Sequence, residues 1–206
     1  VTFAIEQELM GAAPEGETAN DKEVRIAQQM HSRHVVNVLL YILSVIVLLL
    51  FLRKVVFVQD PMIAFITALL FTIHPIHTEV VANVKSRDEI LSVLFISLTF
   101  IKAHSYAASK KTKDLVLALL CFFLALLSKE YAVTLIVLLP LSFYLFRKES
   151  LAASLKAMLV YLVPFGLYMA LRMNAMTGAP DGAEQEVLNN PYLYATGVQK
   201  IATEIM

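Results

Sequence analysis

The chain has 206 residues, of which 58% are hydrophobic and 17% charged, well short of the roughly 25% charged residues of an ordinary soluble domain. Its 17 basic and 17 acidic side chains cancel, which excludes attraction to nucleic acid through bulk charge. A mean hydropathy of +0.69, concentrated in runs, predicts a protein that crosses a membrane several times.

In chain order, "VTFAIEQELMG" predicts a helix lying at the interface, and "GAAPEGETANDKE" a polar loop with Gly, Pro and Asn breakers. Residues 1–34 therefore read as an exoplasmic segment, with Arg33 and His34 near headgroup level. Six apolar segments follow: Val35–Leu52, Met62–Ile73, Ile90–Ile101, Leu115–Leu127, Ala132–Phe146 and Leu155–Leu171. A spanning helix takes about 20 residues. The first and last runs qualify alone, and the middle four need their flanks. "HPIHTEVVANV" either extends the second helix or forms a re-entrant turn. The expectation is an all-α bundle of about six spans over residues 35–172. Residues 173–206 read as an exoplasmic loop entering an amphipathic helix. Cys121, the one cysteine, lies in an apolar run and reads as a small packing group. Val1 is not a start methionine, and "VQKIATEIM" stops inside an amphipathic pattern, so the chain is expected to be a piece of a longer protein.

Basic residues predict the orientation. Loops after segments one, three and five hold Arg53, Lys54, Lys102, Lys110, Lys111, Lys113, Arg147, Lys148 and Lys156. Loops after segments two and four hold only Lys85, Arg87 and Lys129. Basic excess in short loops marks the cytoplasmic side. The turns carrying "HPIHTEVVANVKSRDE" and "SKE" are thus expected on one exoplasmic face.

Three constellations carry ionisable chemistry. His74, His77 and Glu79 frame Pro75, as a polar ligand site, a pair of helix-end histidines or a zinc-type set. In "KSRDE", Asp88 and Glu89 suit the first turn of a helix that Ser86 can cap. The sharper reading has Arg87 on a phosphate, through the bidentate bonds guanidinium favours, and Asp88 facing the reacting group. In "LLSKEYAV", Lys129 and Glu130 either close a salt-bridged turn or join the same cavity. No phosphate-cradling glycine loop, CxxC pair or Ser/His/Asp order appears in the sequence.

"HPIHTEVVANVKSRDEILSVLF" and "FFLALLSKEYAVTLIVLLPL" resemble the multispanning region of the transmembrane and tetratricopeptide-repeat-containing (TMTC) O-mannosyltransferases and their bacterial relatives. "VTFAIEQELMG", "HVVNVLLYIL" and "NNPYLYATGVQKIATEI" resemble the flanking stretches. The resemblance covers nearly the whole chain, departing from the family in a longer "APEGETANDKEVRIAQQMHSRH" loop. It implies a GT-C glycosyltransferase fold with an exoplasmic active site. A polyprenyl-phosphate donor would give up a sugar, typically mannose, to a hydroxyl such as a protein Ser or Thr, with inversion. The matching positions imply Asp88 and Glu79 as catalytic carboxylates, with the main base expected upstream of Val1. They imply His74, His77, Arg87, Lys129 and Glu130 at the donor phosphate and substrate. No metal ligand set is assigned and a divalent metal stays open as cofactor. The implied setting is a bacterial inner membrane with the site facing the periplasm, or the endoplasmic reticulum membrane with it facing the lumen. The competing expectation is a non-enzymatic transporter or envelope-complex scaffold.

Overall fold

The computed structural model describes residues 18–83 and 86–177, and these are α-helical with short 3₁₀ and π segments. The sequence-predicted interfacial helix near Val1 and the loop after residue 177 lie outside the described residues. The chain divides into two compact units, one ending at Phe165 and the other beginning at Gly166.

Helix α1, Ala19–Phe51, opens on Thr18, whose hydroxyl oxygen accepts from the Asp21 amide at 3.3 Å. This satisfies one of the unpaired donors at a helix start. Its 33 residues extend roughly 50 Å at about 1.5 Å per residue, so its polar first turns project beyond its apolar body. A π-helical turn, Leu52–Val56, ends it and packs Leu52 against Ala64 and Ala68. Helix α2, Pro61–Ile73, has proline in its first turn, where the missing N–H costs nothing. It stops at His74 because Pro75 cannot donate and disfavours helical backbone before it. Helix α3, Ile76–Ala82, then leaves at a 64° bend from α2.

Helix α4, Arg87–Ser109, and helix α5, Thr112–Ser128, form a hairpin that is the most extensive packing in the fold. Small buried residues, Ser92, Ser97, Thr99 and Ala103 on α4 with Ala118 and Ala125 on α5, allow close backbone approach without an apolar driving force from lipid. Lys129 is extended, a 3₁₀ turn covers Glu130–Thr134, and helix α6 runs Leu135–Arg147 around the internal Pro140. Lys110 and Lys148 end α4 and α6 in the left-handed region, each at φ 55°. Helix α7, Leu151–Met158, is capped by Ser150, and a 3₁₀ turn, Leu159–Tyr161, leads into helix α8, Leu162–Thr177.

Four helical stretches are long and apolar enough to cross a membrane: Asp21–Val56, Arg87–Ser109, Glu130–Arg147 and Leu151–Ala175. The bent α2–α3 pair makes a fifth if taken as one span. By length and apolarity the count is therefore four or five, against the expectation of about six. Hydropathy registers apolar runs but not where the helix stops. Helix α5 has 17 residues, about 25 Å against a hydrocarbon core of about 30 Å. Leucines and valines such as Leu39, Leu70, Val137 and Leu138 are exposed along the helices, as a lipid-facing surface requires.

Candidate functional site at one end of the bundle

The three ionisable constellations meet at one end of the helices. Asp88 and Glu89 occupy the first turn of α4, where the helix dipole favours carboxylates. Ser86 stands at the cap position but makes no side-chain cap bond, a correction to the sequence expectation. Asp88 Oδ1 instead accepts from the Glu89 amide at 3.0 Å.

Lys129 Nζ reaches Asp88 Oδ2 at 2.9 Å and Glu89 Oε1 at 2.7 Å. The extended conformation of Lys129 after α5 projects its side chain across to α4. These two carboxylates hold its ammonium above the ordinary lysine range, with the Glu89 hydrogen bond first and the Asp88 bond second. Glu89 uses its other oxygen to accept from the Tyr131 hydroxyl at 2.9 Å. "SKEY" and "RDE" are therefore one cluster spanning the start of α4 and the turn before α6.

Arg87 is buried, 2% exposed, and turned toward α1. Its Nε donates to Asn37 Oδ1 at 2.9 Å, and its Nη2 donates to the Arg33 carbonyl at 3.3 Å. Asn37, fully buried, donates in turn to the Asn83 carbonyl at 3.2 Å. The guanidinium is thus committed to protein acceptors that tie α1, the turn after α3 and α4 together.

The histidines divide. His77 stacks obliquely on Phe71, ring centres 4.1 Å apart, with Tyr41 at 6.0 Å. His74 is exposed at the end of α2, and its Nδ1 accepts from the Ile76 amide at 3.3 Å. The rings of His74 and His77 lie 6.1 Å apart. Glu79 is exposed on α3, and Glu130 is exposed at the start of the 3₁₀ turn. Among the described residues no three His, Cys, Asp or Glu side chains are grouped to hold a metal, so His74, His77 and Glu79 do not form the zinc-type set.

A cavity of about 160 Å³ sits among these motifs, lined by Tyr41, Phe71, His77, Glu89, Tyr131 and apolar residues of α3 and α4. One residue from each sequence motif reaches it: His77, Glu89 and Tyr131. Of the residues expected at the site, only His77 lines this space. Asp88 and Lys129 border it through Glu89, while His74, Glu79 and Glu130 are exposed outside it. Sequence reasoning missed Tyr41 and Asn37. Asn37 carried a signal, as a lone amide entering the apolar run "HVVNVLLYIL".

Apolar spans with a charged cluster and a mixed aromatic–carboxylate cavity at one end define an integral, multi-pass membrane protein. The family model for dolichyl-phosphate-mannose-protein mannosyltransferase matches residues 25–174, and the chain belongs to that family. It is similar to human Protein O-mannosyl-transferase TMTC1, at 35% identity over 49% of this chain and 12% of that protein. Mouse TMTC1 is 44% identical over 33% of this chain and 7% of its own length. Mouse TMTC3 is 33% identical over 51% of this chain and 11% of its own length. The chain thus matches only about an eighth or less of these relatives. No solved structure matches it.

Proposed function

We propose that this chain supplies membrane helices and part of the active site of a glycosyltransferase. The enzyme moves a sugar, mannose by its relatives' names, from a polyprenyl-phosphate donor to a hydroxyl, a protein Ser or Thr. The single observation carrying this reading is the Lys129–Asp88–Glu89 cluster beside the cavity where His77 and Tyr131 meet. Lys129, fixed by two carboxylates, is a preorganised cation at a span end, where a lipid-linked phosphate would lie and where charge would develop on it as the sugar leaves. Asp88, the more exposed of its two partners, faces the acceptor side in this reading, with Glu79 as a further carboxylate. His74 and Glu130, exposed outside the cavity, are contacts for the incoming substrates in this reading. Arg87 is a positioning residue, because its donors hold α4 in register with α1. In this reading the site faces the exoplasmic side, the periplasm for a bacterial inner membrane, and the excess of basic residues in the loops at the other ends of the helices supports it.

The test is sugar transfer by the complete protein from polyprenyl-phosphate mannose to hydroxyl-bearing peptides. Asp88→Asn and Lys129→Met should each lower kcat/KM by about 100-fold, with the helical bundle still folded by circular dichroism. Turnover close to that of the unaltered protein in both variants rejects the assignment.

A further inference from the structure

A second cavity, about 270 Å³, lies at the opposite end of the first unit. Its walls include Tyr106 and Lys110 from the end of α4, Lys156 of α7, Glu149, and Tyr161 of the following 3₁₀ turn. The ends are opposite because Lys110 follows the C-terminus of α4, whereas the Lys129 cluster sits on its first turn. Lys102 with Asp114 at 3.3 Å, and Arg147 with the Ala107 carbonyl at 3.2 Å, lock this end together.

Three observations point to an occupant. First, the cavity carries net positive charge. The one carboxylate in its wall, Glu149, is neutralised by Arg147 at 2.7 Å. Lys110 lies over the Tyr106 ring at 5.5 Å, and neither Lys110 nor Lys156 has an ion pair among the described residues. Second, Tyr161 is buried, 2% exposed, yet its hydroxyl has no hydrogen-bond partner among the described residues. A buried hydroxyl is ordinarily paired, so an unpaired one in a cavity wall marks a place for an acceptor. Third, the element bearing Lys156 presents Leu151, Leu155 and Leu159 outward at four-residue spacing. That makes an apolar stripe beside the basic pocket, suited to an acyl chain rather than to water.

We propose that this cavity binds the phosphate headgroup of an anionic glycerophospholipid, with Lys110 and Lys156 as charge partners and Tyr161 as hydrogen-bond donor. Basic pockets between helices at a membrane surface take such headgroups, and the leucine stripe selects a lipid over a free anion. The site is separate from the Lys129 cluster and does not depend on the glycosyltransferase reading.

The complete protein, purified in detergent, should retain short-chain phosphatidic acid in native mass spectrometry and gain thermal stability from it. Phosphatidylcholine and millimolar inorganic phosphate should do neither. Lys110→Ala and Lys156→Ala should each weaken phosphatidic acid binding by about fivefold, and Tyr161→Phe should weaken it without altering the fold. Where an alanine variant folds poorly, Lys156→Gln carries the comparison. Unchanged affinity in the lysine variants, or equal retention of phosphatidylcholine, overturns the proposal. Protection by inorganic phosphate equal to that by phosphatidic acid overturns the lipid assignment.

Discussion

Arg87 and Asn37, fifty positions apart in the chain, share a 2.9 Å hydrogen bond in the interior between α4 and α1. Asn37 passes the connection on to the Asn83 carbonyl, and Arg87 also holds the Arg33 carbonyl. Removing either partner leaves a buried polar group without its bond. Arg87→Ala and Asn37→Ala should each lower stability by about 2 kcal/mol, and the double variant should lose less than the sum. Lysine cannot replace the planar fork, so Arg87→Lys should resemble the alanine variant. Thermal unfolding in detergent checks this; two neutral variants with additive effects would remove Arg87 from the positioning role.

Lys129 gives a pH signature with a defined sign. Its folded value is raised by Glu89 and then Asp88, above an unfolded value of about 10.4. A raised value on a cation contributes stability that is whole below the unfolded value. That contribution is lost as pH rises through the folded value. Stability owed to this cluster should therefore be level through neutral pH and decline only in strong alkali. Unfolding curves of the unaltered protein and Lys129→Met should run parallel through neutral pH and converge above about pH 10. Convergence already below pH 9 would contradict the clamp.

The cavity beside Glu89 offers a steric test. Val80 and Val93 line it without joining the polar cluster. Val93→Phe should fill much of the space and raise KM for the lipid-linked donor about tenfold or more, while thermal stability holds or rises, since added apolar volume in a void need not strain the fold. Ordinary donor KM in a folded Val93→Phe protein would place the sugar elsewhere.

The grouping of the charged motifs was legible in the sequence, and the reasons are local. Charge asymmetry among the loops grouped "HPIHTE", "KSRDE" and "SKEY", and the contacts of Lys129 and Tyr131 with Glu89 join the last two. Asp88 and Glu89 at a helix start follow from dipole chemistry alone. Arg87 was different. Its residue type suggested a phosphate, but its burial depends on Asn37, a partner that no local pattern connects to it. The span count came out lower than expected for a related reason. Pro75 turns the chain by 64° between α2 and α3, so that α2 alone is short, and the extended Lys129 ends α5 after 17 residues. Such stops are set by backbone geometry that hydropathy does not register.

Lys110 and Lys148 both hold the left-handed backbone that closes a helix. Glycine would adopt that conformation at a saving of about 1 kcal/mol for each residue. The two positions thus set folding against insertion. Each places a cation at the basic end of the helices, and each does so where glycine, with no Cβ, would close the helix more readily. Under the proposed orientation, the preference for basic residues at one membrane end and the preference for glycine at a helix end compete at the same two positions.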